Sequence, residues 1–174
     1  MFKYIIKDMM ETVRYLPYGI LAGIFMAVLL CAVNGVKRAR RKTSLSVLAL
    51  VCLFMYLVIL LSLTFLSREP GSRKGIDWEL FSTWGINRRN NAYVIENIFL
   101  FIPYGCVCAW AVPCVRKLPV SFLFGLLTSA GIECLQLVTR RGFFQIDDIL
   151  TNVIGNAVGY ALFRWFCHVG RKRK

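Results

Sequence analysis

From Leu45 to Leu66 the chain carries no charged side chain. A helix of roughly 20 apolar residues crosses the roughly 30 Å hydrocarbon core of a bilayer. A helix packed on a soluble core would instead show a polar face at regular spacing. Four further apolar blocks run over 15–36, 97–115, 118–138 and 149–169, the last two carrying Glu133 and Arg164. In hydrocarbon only helices and closed barrels satisfy their own backbone groups, and unbroken apolarity selects helices over alternating strands. The expected fold is all-α: a polytopic membrane helical bundle with about five transmembrane helices.

Composition agrees. Charged residues make up 18% of the chain, where a soluble domain carries about a quarter. The net charge of +13 comes from 22 basic and 9 acidic residues. The basic groups sit in short clusters between apolar blocks, where they set topology and touch anionic headgroups. The lipid bilayer is therefore the expected partner, and nucleic acid is not. Seven cysteines lie in or beside the apolar runs without a CxxC pair or zinc-ligand spacing. They read as small packing residues, and neither metal nor cofactor is implied.

The division of the chain follows the same pattern. Residues 1–44 hold an interfacial segment, a first span and the basic turn KRARRK; 45–170 form a four-helix membrane domain; 171–174 are a basic tail. The start MFKYIIKDMMETVRYLPYG carries charges up to Arg14 and lacks a small-residue cleavage site, so an uncleaved first span is expected. Pro103 is expected to interrupt the third span. Basic residues are nearly balanced across the two sides. The densest clusters, KRARRK and RKRK, share one side, which places the N-terminus outside and the C-terminus in the cytoplasm of a multi-pass cell-membrane protein.

That up-and-down path gathers polar residues at one face. Arg68, Arg88, Arg89, Asn97, Glu133, Gln136, Arg140, Arg141, Asp147, Asp148 and Asn152 all fall at the ends of spans that meet there. Ser129, Glu133, Gln136 and Arg140 follow one helical stripe, and Asp148, Asn152 and Asn156 another. Glu133 lies inside its span, where an ionised carboxylate costs several kcal/mol unless paired; Arg140, Arg68, Arg88 and Arg89 are the candidate partners. Asp147 and Asp148 also suit a helix N-terminus, where the macrodipole favours negative charge. Structural pairing and a ligand-binding or catalytic role both remain open for these acids. Gly155 and Gly159 read as a helix-packing pair. Trp78, Trp84, Trp110 and Trp165 suit interfacial anchoring.

The segments NAYVIENIFLFIPYG and SAGIECLQLVTRRGFFQIDDILTNVIGNAVGY resemble the VanZ-like family of bacterial membrane proteins. Asn97, Phe101, Pro103 and Gly105 fit one part of its pattern. Ser129, Ile132, Glu133 and Gln136 fit a second, and Asp147, Asp148, Asn152, Gly155, Gly159 and Tyr160 fit the last. Two positions depart: Arg-Arg-Gly stands where the family usually reads Gly-Arg, and Gln145 where an acid is common. The basic group of the pattern is thus Arg140 or Arg141. The resemblance implies lowered susceptibility to teicoplanin-type lipoglycopeptides, without an established enzymatic step.

Two functions follow as expectations. In one, the corner binds a lipoglycopeptide or a lipid-linked cell-wall precursor at the outer face, its arginines meeting phosphate or carboxylate and Glu133, Gln136 and Asp148 ordering them. Asn97, Arg141 and Asn152 complete that ligand set. In the other, Glu133, Asp147 and Asp148 are catalytic carboxylates acting on lipid-linked phosphates or sugars.

Overall fold

The computed structural model describes residues 3, 6, 10, 13–39, 47–66, 68, 71, 75–85 and 87–172. Five long helices follow one another: α1 (Leu16–Ala39), α2 (Val47–Leu61), α3 (Arg88–Ala111), α4 (Leu118–Val138) and α5 (Ile146–Lys172). A π-helical turn, Ser62–Leu66, extends α2, and a 3-10 turn, Pro113–Arg116, links α3 to α4. Two short strands, β1 (Ile76–Asp77) and β2 (Phe144–Gln145), pair in parallel. Most of the segment before Tyr15, the turn KRARRK beyond Ala39, and the last two residues of the tail lie outside the described residues.

Four of these helices are long and apolar enough to cross a membrane: Leu16–Val33, Val47–Phe65, Arg88–Ala111 and Leu118–Val138. Helix α5 is as long but less apolar, because it carries Asp147, Asp148, Asn152 and Asn156. Those side chains are all buried in the bundle, so α5 hides its polar face among its neighbours.

Apolar burial does not drive helices together inside lipid. Close packing and interhelical hydrogen bonds do, which favours small residues at contacts. The α3–α5 contact shows this. A Cβ added at Gly155 would stand 2.3 Å from the Ile98 carbonyl oxygen, and one at Gly159 2.0 Å from that of Ile102. From the other side, Gly105 lies against the backbone of Asn156, 2.2 Å from its oxygen by the same measure. Only glycine admits backbones this close.

Helices α4 and α5 meet along a polar seam. Asn152 Nδ2 donates to Ser129 Oγ (2.9 Å), and deeper in the bundle Asn156 Nδ2 donates to the Ser121 carbonyl (3.0 Å). The spacing of four that aligns Ser121, Gly125, Ser129 and Glu133 on α4 matches that of Asp148, Asn152 and Asn156 on the antiparallel α5. The apolar counterpart, built on Leu60, Phe101, Tyr104, Cys108, Ala109, Val115 and Ile132, joins α2, α3 and α4. Helix α1 packs outside this group, with Gly19 against Ile59 and Gly23 against Met55 of α2.

Two expectations about α3 are revised. Pro103 does not interrupt it, and the helix runs through that position. It also begins at Arg88 rather than Asn97. Asn87 caps it by accepting from the Arg89 and Asn90 backbone N–H groups at 3.0 and 2.8 Å. Hydropathy marks where a span enters lipid, whereas the cap marks where the helix starts.

Candidate functional site

The polar corner is assembled where the π-helical end of α2, the end of α4 and the start of α5 converge. Ser62 and Thr64 turn their hydroxyls back onto the Val58 and Leu60 carbonyls, a pattern that loosens helical pairing. The widened turn leaves the Thr64 carbonyl, and the Phe65 carbonyl beside its bond from the Arg68 N–H (3.3 Å), open to partners from elsewhere. Gln136 Nε2 takes the first at 2.7 Å, and Arg141 takes the second at 3.2 Å. Arg141 also donates to the Arg68 carbonyl at 3.0 Å, and its guanidinium stacks 4.8 Å from the Phe65 ring centre.

Arg68 is held at both ends. Arg141 fixes its backbone, and its own NH1 donates to Gln136 Oε1 at 3.3 Å. It is the cation that couples electrostatically to both Glu133 and Asp148. Asp148 Oδ1 accepts from Asn97 Nδ2 at 2.8 Å, tying α5 to α3. Glu133 is buried, and its Oε2 accepts the Gln145 backbone N–H at 3.0 Å. The arginines expected to pair with Glu133 are thus replaced at hydrogen-bond range by a main-chain donor. The β1–β2 pairing explains this, since it lays Gln145 across the end of α4.

The arginine pair is separated by the way α4 ends. Arg141 N–H bonds back to the Gln136 carbonyl (2.9 Å) and Arg140 N–H to that of Leu137 (3.1 Å). This is the Schellman pattern, whose residue after the cap is left-handed and usually glycine. Arg140 occupies it, with φ at 57°. It leaves the helical stripe it was expected to continue and points outward, exposed, while Arg141 turns into the corner.

Asp147 faces another way. It is buried in the first turn of α5, and its two oxygens accept the backbone N–H groups of Phe81 (2.7 Å) and Thr83 (2.9 Å). It holds the loop between β1 and α3 over the corner. Arg88 and Arg89 are exposed at the start of α3, and Arg89 donates to the Tyr93 hydroxyl at 2.7 Å. Asn152 is buried one turn below Asp148, on Ser129.

A family model described as VanZ/LLP1 matches residues 47–167. The chain belongs to the VanZ/LLP1 family. Every residue of the corner lies inside the matched region, and α1 lies outside it. Protein VanZ of Enterococcus faecium is 31% identical over 70 residues, which cover 40% of this chain and 43% of that protein. The alignment therefore spans less than half of the relative. No solved structure matches the chain.

In this VanZ-family protein, three contributors escaped sequence reasoning. The Thr64 and Phe65 carbonyls carry no side-chain signal at all. The loop tether by Asp147 had only the generic mark of an acid at a helix start. Gly142 had a clearer one, a glycine directly after the arginine pair: a Cβ there would stand 2.5 Å from Arg68 NH1 and 3.1 Å from Gln136 Oε1. Among the described residues, no three His, Cys, Asp or Glu side chains form a group able to hold a metal ion.

Proposed function

We propose that this VanZ-family membrane protein acts without catalysis, holding the anionic headgroup of a lipid-linked cell-wall precursor or a lipoglycopeptide, and thereby lowers susceptibility to teicoplanin-type drugs. The observation that carries the reading is the setting of Arg68. Its guanidinium is half-buried, held by Gln136, and backed by the buried acids Glu133 and Asp148. A cation fixed in this way is preorganised for a phosphate or carboxylate. Gln136 orients Arg68, and the two acids act on it electrostatically.

We infer further that the corner lies at the outer face, with the N-terminus outside and the C-terminus in the cytoplasm. The dense basic clusters KRARRK and RKRK support that orientation. A reporter active only after export, fused behind Lys174, is then silent.

The testing experiment is drug susceptibility of cells expressing wild type, Glu133→Gln or Asp148→Asn at equal membrane levels. Loss of teicoplanin tolerance in the variants supports the reading. Unchanged tolerance in both overturns it. The burial of both Glu133 and Asp148 at the corner favours a second reading, in which the two carboxylates act as acid and base on a lipid-linked phosphate or sugar. Turnover of a labelled lipid-linked diphosphate by the purified protein distinguishes it from binding alone.

A further inference from the structure

The loop over the corner exposes more apolar surface than a connection in water would. Within 75–85, Trp78 is 65% exposed, Leu80 52%, Phe81 60% and Trp84 55%. The loop is nonetheless well tied. Asp77 accepts from the Glu79 N–H (3.1 Å) and the Ser82 hydroxyl (2.8 Å), β1 pairs with β2, and buried Asp147 holds Phe81 and Thr83. Phe81 sits at a φ of 64°, left-handed and unusual for an aromatic residue. Trp78 leans on the Phe144 ring (5.2 Å between centres) and Phe81 on Trp84 (6.3 Å), yet all three loop aromatics keep most of their faces open. A tethered loop that holds aromatics outward has a surface to meet.

Position and charge say which. The loop joins the end of α2 to the start of α3, so it lies at the level where two spans leave the hydrocarbon. Exposed Arg88 and Arg89 follow it, against the loop's own Asp77, taken up by Ser82 and the Glu79 N–H, and exposed Glu79. Aromatic rings beside cations are the composition that settles in a headgroup layer, the rings among glycerol and upper acyl carbons and the cations on phosphate.

We propose that 75–85 is an interfacial wedge seated in the anionic headgroup layer of the protein's own bilayer, so that the Arg68 corner opens sideways to lipids and not upward to bulk water. The ligand class that follows is an amphiphile already resident in the leaflet. This access route rests on the headgroup-binding reading; the wedge itself does not.

The test uses full-length Trp110→Phe/Trp165→Phe protein in phosphatidylglycerol-containing vesicles, where Trp78 and Trp84 remain the reporters. Their emission is expected at short wavelength, quenched by lipids brominated near the headgroup and protected from aqueous iodide. Asp147→Asn shifts the balance toward iodide by freeing the loop. Arg68→Gln leaves lipid quenching unchanged even where it abolishes headgroup binding, which separates the two claims. Quenching by iodide and not by brominated lipid, in a protein that remains monodisperse, overturns the wedge. So does lipid-silent, short-wavelength emission that reddens on dilution into excess lipid, which would assign the surface to a second copy.

Discussion

Gly142 lies so close to Arg68 that a Cβ on it would stand 2.5 Å from the guanidinium NH1. The missing side chain is what lets Arg68 reach Gln136. Nothing in the backbone demands glycine there, as its φ is not left-handed. Gly142→Ala therefore acts on Arg68 and on the Gln136 side chain that holds it. A charge-assisted hydrogen bond contributes about 1.5–3 kcal/mol, so displacing it should weaken binding of an anionic amphiphile about tenfold or more. Equilibrium binding in neutral-lipid nanodiscs, at unchanged membrane yield, checks this.

Arg140 holds a position that glycine adopts without strain. Arg140→Gly is expected to stabilise the protein by about 1 kcal/mol, because the left-handed conformation disfavours any residue with a Cβ. Arg141→Ala has the opposite outcome. It removes donors from the Phe65 and Arg68 carbonyls and loosens the corner. Thermal unfolding of the two variants in one detergent checks the signs.

The α3–α5 contact predicts a contrast between two glycines. Gly159→Ala meets the Ile102 carbonyl oxygen and Cys106 nitrogen, which are backbone atoms that cannot turn aside. Overpacking of this kind costs about 1–3 kcal/mol. Gly131→Ala meets nothing within 4 Å and gains up to about 1 kcal/mol of helix propensity. Unfolding midpoints should move in opposite directions.

Loop order should depend on pH through Asp77. The Ser82 hydroxyl, and after it the Glu79 N–H, hold its carboxyl below the ordinary value of 3.8. A depressed folded-state pKa means stabilisation that is complete above that value and lost as pH falls through the lowered one. Hydrogen exchange or limited proteolysis of 75–85 should therefore be flat at neutral pH and rise only in strong acid. Asp77→Asn removes that rise.

Much of the architecture was legible because membrane spans are written in composition. The apolar blocks placed α1, α2 and α4 closely, and helical spacing set Glu133 and Gln136 on one buried face. The start of α3 was not legible that way, since Asn87 caps a polar first turn that hydropathy ignores. Arg140 and Arg141 could not be separated by spacing, because the helix ends between Val138 and Arg140 and a left-handed residue breaks the stripe. Asp147 and Asp148 are neighbours in sequence with different duties, one tying a loop and the other joined to Asn97. Those duties depend on contacts across 50 or more positions, such as the separation of 51 between Asn97 and Asp148 and of 66 between Phe81 and Asp147, which no local pattern encodes.

The central claim is that Arg68 receives an anionic headgroup. Native mass spectrometry of wild type and Arg68→Gln with farnesyl diphosphate, against uncharged farnesol as control, tests it most directly. One diphosphate is expected to be retained per wild-type chain, with affinity at least about tenfold lower for Arg68→Gln and no farnesol retained by either. Equal retention of the diphosphate by both proteins would contradict it.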